Sequence, residues 1–161
     1  MKLRRRDMMV LALGLLLPAV AMAQAPALQV EHAWARATPG GLRSGAVYLT
    51  LRNAGVPDRL TGAATPLADM AMLHESYDDH GIARMRMLDG VALPAGGSVV
   101  LRPGGIHIML TGLHQPLVRG STFPLMLSFA AAKPVTVTVR VLAAGAAGPA
   151  DGDSMPGMKM P

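Results

Sequence analysis

Four residues of this 161-residue chain combine donor types that point to soft-metal chemistry: His74, Met85, His107 and Met109. Imidazole nitrogens and thioether sulfurs are intermediate to soft ligands. Thioethers suit Cu(I) and are poor partners for zinc, magnesium or calcium. Cu(II) prefers more nitrogen or oxygen, so the set favours the reduced ion, with Cu(II) the secondary form. Thioethers cannot close into a disulfide, which suits an oxidising compartment. Their weakness is sulfoxidation, which removes the soft donor. The chain has no cysteine, so disulfide frameworks, zinc-thiolate centres and blue-copper electron-transfer sites are all excluded.

Taken singly, each residue has an ordinary explanation. Met85 or Met109 alone reads more readily as core filling, and His74 alone as a surface residue. Their placement changes the balance. Ile106–Leu110 reads as a strand, in which His107 and Met109 share one face while Ile106, Ile108 and Leu110 take the other. Pro103-Gly104-Gly105 is a turn just before it, which sets the pair near a strand end. Asp78-Asp79-His80-Gly81 is a second turn, flanked by strand-like residues. A hairpin centred between Asp79 and His80 sets Tyr77 against Ile82 and His74 against Met85. Directly opposed residues have Cβ atoms about 4.5–5.5 Å apart, so one nitrogen and one sulfur ligand converge. A loop with an odd number of residues would move this register by one.

The elements that must position these donors read as β throughout. Ala46–Leu51, Ala71–Tyr77, Ile82–Leu88, Ser98–Leu101, Ile106–Leu110, Thr122–Phe129 and Val135–Leu142 are short apolar or alternating runs between Gly, Pro, Asn and Asp. Such spacing predicts an all-β fold, an antiparallel sandwich or barrel. No stretch carries a helical stripe, and no internal repeat is visible.

The two ends read differently. Lys2 and Arg4–Arg6, an apolar run from Met8 to about Val20, and Ala21-Met22-Ala23 form the three parts of a secretory signal peptide, residues 1–23. The apolar run is short for a membrane span, which needs about 20 residues, so no stable membrane insertion is expected after cleavage. A lipid-attachment box is ruled out by the missing cysteine. The signal holds four of the 15 basic residues and one of the 10 acidic ones, leaving 11 and 9, a net of +2. Nothing in that balance points to nucleic acid. The copper-binding domain is expected over 24–143. Residues 144–161 read as a flexible linker and tail, delivering Met155, Met158 and Met160 as auxiliary metal donors. Nine of the 13 methionines fall after residue 23, and core filling cannot account for those three.

Other residues are less informative. His80 reads as part of a solvated turn and His114 as a loop residue; His32 has no partner in spacing. Met87 shares a strand face with Met85, and Trp34 reads as packing. The chain has no G-x-S-x-G elbow and no H-E-x-x-H, so it is not expected to be an enzyme.

The four donors also fit a family pattern. The chain resembles the PCu(A)C periplasmic copper chaperones, whose signature is His, ten residues, Met, twenty-one residues, then His-x-Met. His74, Met85, His107 and Met109 match it without a gap. The neighbouring Ala33–Pro39, Ala46–Leu51, Met85-Arg86-Met87 and Pro103–Leu110 fit as well, and the resemblance runs from about Val30 to Val141. It implies a cupredoxin-like β-barrel, a periplasmic location, and delivery of copper to a cytochrome oxidase copper centre. The implied partners are a copper-accepting subunit of a terminal oxidase or its assembly factors. A buffering or resistance protein without a recipient is the alternative. Where some members have Met after the first His, this chain has Glu75, and its tail has no His.

Overall fold

A computed structural model describes residues 27–149 of the protein. The expected signal peptide and the tail methionines lie outside the described residues.

The described chain is built from ten strands: β1 (Leu28–Arg36), β2 (Ser44–Asn53), β3 (Asp58–Ala64), β4 (Ala68–Asp79), β5 (Ile82–Met87), β6 (Val91–Leu93), β7 (Gly97–Leu101), β8 (Ile106–Leu113), β9 (Thr122–Phe129) and β10 (Val135–Leu142). No helix occurs among the described residues. Seven strands form a circuit in the order β4-β8-β2-β1-β10-β9-β3, which a β3–β4 pairing at Ala63 and Ala71 closes into a barrel. Closure removes the unpaired edges that an open sheet would leave. β5 extends beyond the circuit from β4, β6 pairs with β3, and β7 pairs with the second half of β2.

Period-two alternation decides which side chains enter the barrel. In β2, Val47, Leu49 and Leu51 are fully buried, as are Leu125 and Leu127 in β9, Ile108 and Leu110 in β8, and Val139 and Val141 in β10. These residues form one cluster filling the interior. The expected strands recur, with Thr122–Phe129 and Val135–Leu142 reproduced at both ends. β1, β3 and β6 had no comparably clean apolar signal in the sequence. β1 runs parallel to β10, Trp34 against Arg140, a pairing between opposite ends of the domain that no local pattern encodes.

One expectation is corrected. The β4–β5 hairpin turns on His80 and Gly81, not on Asp79 and His80: Asp79 pairs with Ile82, and the register places His74 against Met87 and Ser76 against Met85. A two-residue hairpin turn of this hand needs positive φ at both central residues. His80 (54°) and Gly81 (84°) supply it, and Asp78 Oδ1 accepts the Gly81 N–H at 2.8 Å. Glycine therefore has to sit inside the turn. The shift moves each pairing by two residues, so Met85 keeps the same face and becomes the diagonal neighbour of His74.

Candidate metal centre

The outward face of β5, β4 and β8 carries the four candidate ligands. Alternation buries Leu73 and Ile108 inside the barrel and turns His74, His107 and Met109 outward. On the adjacent strands β4 and β8, His74 stands directly opposite His107, and Met72 directly opposite Met109. The two imidazole rings are 6.1 Å apart in an edge-on arrangement. From β5, Met85 reaches back so that its Sδ lies 3.1 Å from His74 Nδ1. A nitrogen and a sulfur donor are thus adjacent, as neighbouring corners of one coordination shell require. A cavity of about 300 Å³ opens beside them, lined by Tyr48, Ser76, Met85, Gly104, His107 and Met109.

The two histidines are held differently. His107 is 5% exposed, and its Nδ1–H donates to the Gly105 carbonyl at 3.0 Å. A carbonyl only accepts, so this bond puts the proton on Nδ1 and leaves the Nε2 lone pair free, the usual way a metal-binding histidine is oriented. The same carbonyl accepts the Ser76 backbone N–H at 3.1 Å, tying the β7–β8 turn to β4. Gly104 has φ of 74° in that turn, where a side chain would be strained. His74 is more open. Burial, and secondarily the neighbouring His107, pushes its pKa below the ordinary histidine value. Both effects favour the neutral ring, the form that binds metal.

An aromatic wall backs the site. Trp34 and Tyr48 are buried with ring centroids 4.6 Å apart, and Tyr48 lies 6.3 Å from His107. Arg36 sits over the Tyr48 ring at 5.9 Å. Burial raises the Tyr48 pKa, opposed in part by Arg36, so the phenol stays neutral. A bulge between Glu31 and Trp34, with His32 at φ 51°, resets the register so that Trp34 meets Tyr48 on this face. Bulges re-aim side chains beside functional sites in just this way.

All four sequence candidates therefore lie on one face of three adjacent strands. Met85 is half exposed and sits at the mouth, whereas His107 is buried. His80 is in the turn, bonded to Asp79 at 2.9 Å, and His114 pairs with Asp69 at 2.8 Å; neither is on the donor face. The sequence reading missed Met72, whose place beside His74 and opposite Met109 was open to the same period-two argument that paired His107 with Met109.

The closed all-β barrel matches the cupredoxin-like fold of the PCuAC domains. The chain belongs to the LpqE-like family, described as "Putative lipoprotein LpqE-like", whose pattern matches residues 28–141. A relative from Leifsonia xyli subsp. xyli, "Putative lipoprotein Lxx21020", is 35% identical over 121 residues, covering 73% of this chain and 72% of the relative. Among solved structures, the copper-bound PCuAC domain from PmoF2 superimposes with a TM-score of 0.63 at 25% identity, over 75% of this chain and 97% of that one. The solution structure of CuI-DR1885 from Deinococcus radiodurans gives 0.60 at 36% identity, over 77% and 83%. The family and the Leifsonia relative are both described as putative lipoproteins.

Proposed function

We propose that this protein is an exported, periplasmic carrier of Cu(I), which it holds through His74, Met85, His107 and Met109 and delivers to a copper-accepting subunit of a terminal oxidase or its assembly factors. The observation that carries the reading is the approach of Met85 Sδ to His74 Nδ1 at 3.1 Å, with His107 directly across the sheet from His74. Two neutral imidazoles and two thioethers add no charge to the ion and match its softness. The similarity to the copper-bound PCuAC domain from PmoF2 and to CuI-DR1885 supports the choice of metal.

The arrangement suits a cargo site better than a resident one. His107 is fixed by its bond to Gly105 and backed by Tyr48, so it anchors the ion. Met85 is 51% exposed on a strand outside the barrel circuit. An acceptor thiolate or thioether can displace it first, passing copper by stepwise ligand exchange without unfolding the barrel.

The test is an anaerobic Cu(I) competition titration against a chromogenic chelator, on the full chain and on Met85→Leu/Met109→Leu. One tight equivalent that disappears in the double variant, with circular dichroism unchanged, is expected. Tight binding that survives the double variant would sink the assignment. Delivery is tested by mixing loaded protein with apo-acceptor under reducing conditions. No transfer there, together with copper sensitivity of a deletion strain only at high copper, would favour buffering.

A further inference from the structure

The donor face continues past the His/Met cluster. Met70 and Met72 precede His74 at two-residue steps on β4, so all three side chains leave the same side of the sheet. The Ala63–Ala71 pairing that closes the barrel sets Ala64 against Met70. On its other side, Ala64 pairs with Met126 of β9. Met70 and Met126 thus flank one alanine across three strands, about 10 Å apart at two strand spacings. A hollow of about 300 Å³ lies along the β3–β4 seam, bordered by Ala64, Asp69, Met70 and Met72, and Met126 stands across Ala64 from it.

Core filling does not explain Met70 and Met126. Met70 is 51% and Met126 42% exposed, whereas the inward positions beside them, Leu73, Leu125 and Leu127, are buried. Nor does strand propensity, which favours β-branched and aromatic residues on such surfaces. What the three share is a flexible arm ending in a soft, uncharged sulfur.

We propose that Met70, Met72 and Met126 form a second soft-metal site, a thioether-only position for Cu(I) at the barrel seam. Three thioethers suit Cu(I) and offer little to Cu(II) or zinc. Without an imidazole, and with Met70 and Met126 exposed, the site binds more weakly than the His/Met cluster. Met72 also stands opposite Met109 and next to His74, so an ion taken up at the seam is one ligand exchange from the main centre. The trio is an acquisition site feeding that centre; this role, though not the site itself, rests on the copper-carrier reading above.

The experiment is a two-dimensional carbon–proton NMR titration of the full chain labelled at the methionine methyl carbons, with Cu(I) added anaerobically and methyls assigned from single Met→Leu variants. The first equivalent is expected to move Met85 and Met109, and a later equivalent to move Met70, Met72 and Met126 together. The triple variant Met70→Leu/Met72→Leu/Met126→Leu should bind one equivalent fewer and keep the first intact. Met155, Met158 and Met160 are present in both chains, so the difference reports the strand trio alone. The second site is wrong if the three methyls stay in place through three equivalents, or if the triple variant keeps its stoichiometry. It is equally wrong if Met72 moves with Met85 and Met109 while Met70 and Met126 do not. Immobile Met85 and Met109 methyls at the first equivalent would instead refute the main centre, a different and separable failure.

Discussion

Replacing Met85 by leucine separates metal binding from folding. Met85 is 51% exposed and lies on β5, outside the barrel circuit. Leucine keeps nearly the same apolar volume, and swaps of this kind at exposed positions change stability by no more than about 0.5 kcal/mol. For a domain of this size that moves the melting temperature by about 2 °C. The metal loses far more. The sulfur 3.1 Å from His74 Nδ1 disappears, and a hydrocarbon cannot coordinate. Even changes in groups that merely support metal ligands cost about 10–100-fold in affinity, so losing a ligand should cost at least as much. The assay is the chelator competition run beside a thermal melt of the apo-protein. Unchanged Cu(I) affinity at unchanged stability would refute the placement of Met85 in the coordination shell. Affinity lost only in step with the fold would refute the claim that the site is separable from the barrel.

Further outcomes follow from particular residues. Leu127 is fully buried between Val135 of β10 and Ala63 of β3; Leu127→Ala should destabilise by about 2–5 kcal/mol in denaturant titration while the folded fraction keeps its copper affinity. Gly112 has φ of 72°, and a Cβ there would meet the Asp69 side chain; Gly112→Ala should cost about 1–2 kcal/mol from the left-handed backbone alone, read from the same titration. His74 has a pKa below the ordinary value, from burial first and then His107. The proton it takes up competes with copper, so affinity should hold until the pH falls below the ordinary histidine value. It should then decline through His74 by about tenfold per pH unit, an effect absent from the chelator titration of His74→Gln. Asp58 is held below the usual carboxylate range, chiefly by the Arg59 backbone N–H, with Ala131 and Ala132 also donating. A depressed carboxylate contributes stability above its unfolded value and loses it as the pH falls through the folded one. Asp58→Asn should therefore lower the melting temperature at neutral pH, and the difference should close in acid.

The sequence by itself determined the contents of each face. Alternation in Ile106-His107-Ile108-Met109-Leu110 set two candidate ligands on one face and three aliphatic residues on the other, where Ile108 and Leu110 are buried and Ile106 packs partly buried against the core. The spacing of His74, Met85, His107 and Met109 carried the family pattern, and the missing cysteine removed the competing metal chemistries. These are short-range properties, set by the two-residue period of an extended chain. How strands meet was beyond that reach. The β4–β5 register depended on which two residues adopt positive φ, and Gly81 rather than Asp79 decided it. The opposition of His74 to His107, the parallel β1–β10 pairing and the seam at Ala63–Ala71 join residues far apart in the chain. Such contacts are selected by how the whole barrel closes over one core, because only the assembled sheet fixes which of the allowed registers buries every inward side chain. That closure set His74 against His107, locked the His107 ring through Gly105 and placed Met70 and Met126 on either side of Ala64.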